Sequence, residues 1–351
     1  MKFNLVVAVW GDAYIRSLCE ITFPSFLNAR DLDTVSGHDL HILIYCRATE
    51  EQVIRGHPAL SALAERVTVA FFHIVPQDAV NHYVAMAKAH AHAAMHCAAE
   101  KARAIIVPPD AVFADGSLRR IVEIAAAGKR ALMVAAPRLR QLTAQGAILD
   151  LLEEQAPLDP RRLLKVGMEH LHPEMNRYFW NSQRFSTRPF LCFWELPGRG
   201  WLCRNFHLHP LMLDFSTLTA AGVLENDTID GEFIGHHIGV WDDIFVEQDS
   251  DRLLMFTLTP DDVFYSQEVP QSASVDIVRK AAYEDIVNPV HRWYFTKAIK
   301  FHLDDLNAEW DALEEKTGRV VFDILSLERP PPPVPPRSSV RQKVLRLFGR
   351  R

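Results

Sequence analysis
Phe3-Asn4-Leu5-Val6-Val7-Ala8-Val9 runs straight into Trp10-Gly11-Asp12. A near-continuous apolar run of this length predicts a strand buried on both faces, because a strand with one wet face alternates. Gly11-Asp12 breaks the run. Residues 13–27 then place Ile15, Leu18, Cys19 and Phe26 near helical spacing. Outward from there the pattern repeats. Residues 40–46 read as a second buried strand, and Thr49 with Glu50-Glu51 opens a short helix. Residues 67–74 give a third strand, and an Ala-rich stretch over 80–101 gives a long helix. Residues 104–107 form a fourth strand, Asp115-Gly116-Ser117 starts a helix to about residue 127, and residues 131–136 form a fifth strand. Such alternation predicts an α/β fold, a mostly parallel sheet covered by helices.

The character changes after that. Residues 144–182 read as helical, 187–260 as short strands with aromatics and turns, and 272–327 as helical again. The expected division is one large domain over 1–260, a C-terminal helical region over 261–328, and a Pro-rich basic tail over 329–351. The tail carries seven basic residues and no acid. Its prolines force an extended spacer, and Val340, Val344, Leu347 and Phe348 can share one face of a short basic helix. Peripheral contact with an anionic membrane is expected of it.

The composition bounds the function. With 351 residues, 48% of them hydrophobic and 23% charged, the chain excludes a disordered polymer and a disulfide miniprotein. A formal charge of −6 gives no general attraction for nucleic acid, and none is expected as a partner. Cys19, Cys46, Cys97, Cys192 and Cys203 form no C-x-x-C pair and read as reduced, buried thiols. No stretch approaches the roughly 20 apolar residues of a membrane span. The cytoplasm, or the inner face of the membrane, is the expected location.

Ligands of open parallel sheets bind at the carboxyl ends of the strands. One such end is Trp10-Gly11-Asp12, where a glycine permits a tight turn and close approach to a ligand. The lone glycine excludes a G-x-G-x-x-G fingerprint, and no G-x-x-x-x-G-K-[ST] loop exists. A second end is Ile105-Ile106-Val107-Pro108-Pro109-Asp110-Ala111-Val112-Phe113. An acid directly after a buried strand suits a hard divalent cation.

These two stretches resemble the nucleotide-sugar-dependent glycosyltransferases of the GT-A fold, in which a buried strand ends in a short acidic motif, commonly Asp-x-Asp. Here Asp110 stands at the first position and Val112 at the second. The resemblance covers about residues 1–240. It implies a GT-A-like sheet that binds a nucleotide sugar through Trp10, Gly11, Asp12, Lys88, Asp110 and Asp227. It further implies a divalent metal, Mn or Mg, on Asp110 with a late histidine, His207 or His209. These histidines alternate, so an extended backbone points them to opposite faces, and His209 beside Pro210 is the favoured ligand. Glu195, flanked by Trp194 with Trp201 nearby, is a candidate general base; Asp230 is a second candidate catalytic carboxylate. Tyr83 shares the helix of Lys88. The implied reaction moves a sugar to a bacterial glycan, lipid or protein acceptor. Two other readings stand beside it. One is a noncatalytic protein of the same fold that binds a glycan or partner. The other is a zinc-dependent hydrolase built on His90, His92 and His96, two of which share a helix face at i, i+4.

Overall fold
The computed structural model describes residues 1–73, 82–154, 157–218, 229–265, 269–285 and 287–326. Asp227 and the basic tail therefore lie outside the described residues. The strands are β1 (Lys2–Ala8), β2 (Asp39–Tyr45), β3 (Thr68–Phe72), β4 (Arg103–Ile106), β5 (Ala111–Phe113), β6 (Ala131–Val134) and β7 (Arg138–Arg140). They continue with β8 (Leu191–Leu196), β9 (Gly200–Asn205), β10 (His209–Asp214), β11 (Ile244–Val246), β12 (Met255–Thr259) and β13 (Ile299–His302).

Seven of them form the central sheet in the order β11-β6-β10-β4-β1-β2-β3. All run parallel except β10, which is antiparallel to both β4 and β6. Helices cover both faces, so the protein is a mixed α/β fold with a mostly parallel sheet. The apolar run of β1 is divided between two cores. Phe3, Leu5, Val7 and Val9 pack with the helices of residues 12–35, 51–64 and 117–126. Val6 faces the other side, against Ala89, Ala93 and Cys97 of the helix His82–Glu100. The one polar residue of the run, Asn4, is buried and donates to Glu100 Oε2 at 2.8 Å.

The helix expected over 13–27 is interrupted. It runs Asp12–Ser17, widens into a π turn over Leu18–Thr22, and resumes at Phe23–Phe26. Pro24 has no N–H to give the preceding turn, which accounts for the irregularity just upstream of it. Thr22 lies in the widened turn, and its hydroxyl donates to the carbonyls of Pro109 (3.0 Å) and Ala111 (2.7 Å).

Two small sheets complete the fold, β5-β12-β7 and β13-β9-β8. The second packs Trp194, Leu202 and Phe206 against the helices Val275–Glu284 and Ala308–Leu325, with Trp310 fully buried between them. The helical stretch 272–327 thus also contains a strand, β13, paired with β9. No helix among the described residues is long and apolar enough to cross a membrane.

Candidate active site at the carboxyl edge of the sheet
The chain steps from β1 through β2 to β3 in one direction, then returns to place β4 on the other flank of β1. The strand order reverses there, the place where open α/β sheets bind ligands between the loops that leave the two strands. The two strand ends singled out in the sequence are therefore neighbours. Val6 pairs with Ile106, and the Val107 N–H donates to the Val6 carbonyl at 3.0 Å.

On the β1 side, Gly11 has φ +85°, a conformation that side chains rarely adopt. Glu50 fixes this turn: its carboxylate accepts from the N–H groups of Gly11 (2.8 Å) and Arg47 (3.1 Å). Trp10 is half-buried beside the turn, and Asp12 is exposed at the start of the following helix. Tyr14, one turn along, has its hydroxyl pKa raised by burial and by the charge of Asp110.

On the β4 side, Asp110 meets Arg138 through the small sheet. Thr257 of β12 pairs with Ala111 on one edge and with Arg138 on the other. The Leu258 N–H also donates to the Asp110 carbonyl at 2.8 Å. Ala111 and Arg138 are thus abreast across one strand, about 10 Å apart across the ladder, and Asp110 is the residue before Ala111, opposite Leu258. Burial pushes the Asp110 carboxyl up to about 6, against the opposing pull of its own backbone N–H and of Arg138. The Arg138 guanidinium lies over the Tyr265 ring at 3.9 Å, and its Nη1 is buried with no hydrogen-bond partner. A guanidinium held over an aromatic ring with an unused N–H is suited to a phosphate oxygen.

β10 brings the histidines. His209 opens that strand, and its Nε2–H donates to the Ile106 carbonyl at 2.7 Å, an assignment that leaves the lone pair on Nδ1. Burial lowers its pKa. The His207 ring packs on His291 at 4.5 Å. Burial and His291 bring His207 down to about 4; burial and His209 bring His90 to about 4 as well. All three imidazoles are neutral at pH 7. Asp230 is exposed and acts electrostatically on each, while its backbone carbonyl accepts from His291 Nε2 at 2.9 Å.

Among the described residues, Asp110, His207 and His209 do not make up a group of three whose ligand atoms lie within 4.8 Å of one another. Val112, at the place of the second acid, is fully buried in the core, where a carboxylate would be stranded. The helix histidines are occupied as well: Tyr45 Oη lies 3.1 Å from His92 Nδ1, and His96 Nε2 lies 3.4 Å from Glu100. With no third residue among those described do they form a set that could share an ion.

Other sequence candidates lie elsewhere. Lys88 stands on the outward stripe of its helix with Val84, His92 and Met95, and Tyr83 is exposed near its start. Glu195 is at the far end of the β8–β9 hairpin. It pairs with Trp201, and the six residues from Trp201 to His207 span about 20 Å. Glu195 is thus not brought to Asp110 or His209. Trp194 is core, stacked on Trp180 at 5.1 Å. The residues that the sequence reading missed are Arg138, Tyr14, Tyr265 and Glu50; the first three acquire their place only through tertiary pairing.

Among the described residues, the group that does bring three ligand atoms within 4.8 Å is Asp249, Asp251 and His302. Its charges are already matched. Arg161 holds Asp251 at 2.7 Å; His302 gives Nε2–H to Asp249 at 2.9 Å and Nδ1–H to the Asp304 carbonyl at 2.6 Å. Two acceptors on one ring require the imidazolium form. Burial opposes that charge, but the bonds to Asp249 and Asp304 outweigh it and the His302 pKa is raised. A raised pKa contributes stability that is full below the unfolded value near 6.5 and lost as pH rises through the folded value. We expect the melting temperature to fall above that point in the wild type, and to fall less steeply in His302→Gln. Parallel slopes in thermal melts across pH 6–9 would remove the pair from the account.

No protein-family model matches the sequence, and no curated protein matches it. Two solved structures are similar over most of the chain. One is 4-diphosphocytidyl-2C-methyl-D-erythritol synthase from Anaerococcus prevotii DSM 20548, with 10% identity, 81% of this chain and 96% of that chain covered, and a TM-score of 0.36. The other is described as a glucose-1-phosphate thymidylyltransferase from Bacillus anthracis in complex with a sucrose, with 10% identity, coverage of 82% and 96%, and a TM-score of 0.32. At this degree of likeness the chemistry must be read from the residues of this chain.

Proposed function
We propose that the chain is a glycosyltransferase that uses a nucleotide-sugar donor at the carboxyl ends of β1 and β4. The observation that carries this reading is Arg138, a cation with a buried, unused N–H, abreast of Ala111 and acting electrostatically on the carboxyl of the preceding Asp110, which is poised at about 6. The Gly11 turn, clear of any side chain, admits the nucleoside beside Trp10. Arg138 holds the diphosphate and stabilises the charge that develops on it as the sugar leaves. Asp110 takes the proton of the acceptor hydroxyl as that oxygen bonds to the sugar carbon and the carbon–phosphate-oxygen bond breaks. Asp230, with the neutral His209 and His90 around it, orients acceptor hydroxyls. The positive charge in this scheme is supplied by the guanidinium.

The test is thermal stability of the full chain with UDP-, GDP- and CMP-linked sugars. One donor class is expected to raise the melting temperature, as a ligand at a hundredfold its Kd adds about 2.7 kcal/mol. The shift should persist in EDTA. Absence of a shift with every donor would overturn the reading.

A further inference from the structure
We infer a second, saccharide-binding site in the cleft at the turn end of the β8–β9 hairpin, about 20 Å along the strands from the His207 end. This cleft of about 420 Å³ is lined by Glu169, Asn176, Asn181 and Glu195, with Phe179 and Trp201. Its volume is in the range of small-ligand sites.

Three features point to a ligand. The four polar side chains come from three separate segments: the end of the helix Pro160–Glu169, the stretch around Met175–Tyr178, and β8. None of these four exposed side chains makes a hydrogen bond or ion pair with another described residue; the remaining polar lining residue, Ser182, accepts from the Arg184 N–H at 3.2 Å. Side chains that converge without satisfying one another retain their hydrogen-bonding capacity for a guest. Second, Trp201 is 3% exposed, and its indole N–H has no acceptor. A buried donor left unpaired costs about 1–3 kcal/mol, and a hydroxyl in the cleft is the kind of group that relieves it. Third, the half-buried Phe179, which meets the buried Trp201 edge-on at 6.0 Å, brings an aromatic ring to the lining on which the C–H face of a sugar can pack.

Charge chooses among ligands. The lining carries two carboxylates and no Lys or Arg. It repels phosphate, so the nucleotide sugar itself is excluded. Carboxylates accept hydroxyl protons and carboxamides both donate and accept, which is the complement of a neutral polyol. The ligand class is therefore an uncharged oligosaccharide. Glu195 serves here as a hydroxyl acceptor, a binding role.

The site stands without the transferase chemistry, so it can be tested apart from it. Intrinsic tryptophan fluorescence of the full chain is titrated with neutral cello-, malto- and chito-oligosaccharides, with a phosphorylated sugar as control. We expect saturable change with at least one neutral series and none with the phosphorylated sugar. Asn181→Ala and Glu195→Ala, both at exposed positions, should weaken binding at least tenfold, and Asp110→Asn should leave it unchanged. No response to any neutral series overturns the site, and so does binding that survives both cleft substitutions. Donor-induced thermal shifts, measured in parallel, report on the transferase reading alone.

Discussion
Arg138→Gln is expected to lower transfer by about 10²–10³-fold, the usual loss when one preorganised donor to a developing anion is removed. The reasoning starts from cost. A buried N–H without an acceptor is unfavourable, and Arg138 Nη1 has none among the described residues. A bound phosphate oxygen would supply that acceptor, and the Tyr265 ring, 3.9 Å from the guanidinium carbon, packs against the group that offers the bond. Donor affinity and turnover should fall together, because the contact begins in the bound donor and strengthens as charge builds on the leaving group. Folding should be little changed, since no described residue loses a hydrogen bond. Kinetics of the purified variant, beside its melting curve, check both. Wild-type rates in a folded Arg138→Gln protein would remove Arg138 from the site.

Asp110→Asn should cost about 10²–10⁴-fold in turnover, the range associated with general acid–base catalysis. Donor binding should survive, because the amide removes a base and leaves the Arg138 contact intact. The pH profile separates this role from a merely structural one. The Asp110 carboxyl is pushed up to about 6, so the basic form dominates above that value and the acid form below it. The rate should rise with pH through about 6 and then level off. In Asp110→Asn the residual rate should lose that limb. The same acid limb in variant and wild type would assign the titration to another group.

The strands were legible for a simple reason. β1, β2 and β4 are buried on both faces, and burial of that kind writes itself as unbroken apolar sequence. Asp110 was legible as an acid directly after such a run. β10 was harder: His209-Pro210-Leu211-Met212-Leu213-Asp214 reads as a strand, but its direction is set by β4 and β6, distant in sequence. Arg138-Leu139-Arg140 looks like an ordinary surface alternation, and only the register of Thr257 brings Arg138 abreast of Ala111, next to Asp110. Glu195 drew notice because it follows a tryptophan. Sequence proximity carried no information about which end of the hairpin faces the sheet. His207 and His209 have different partners, His291 for the one and the Ile106 carbonyl for the other. The carbonyl of Ile106 that fixes the His209 tautomer could not be read from the residues around it.

The insertion of β10 between β4 and β6 has a consequence for the chain as it is made. β6 has two neighbours in the sheet, β10 and β11, and both come later in sequence. Ala131-Leu132-Met133-Val134 therefore leaves the ribosome with no partner strand, while β1 to β4 can already pair. About 75 residues separate Val134 from His209. At roughly 5–20 residues per second, that stretch takes about 4–15 s to synthesise. For that interval the nascent protein carries a wholly apolar segment with both ladder edges open, a template for pairing with a neighbouring chain. The same strand order makes this the window in which a holding chaperone has most to protect.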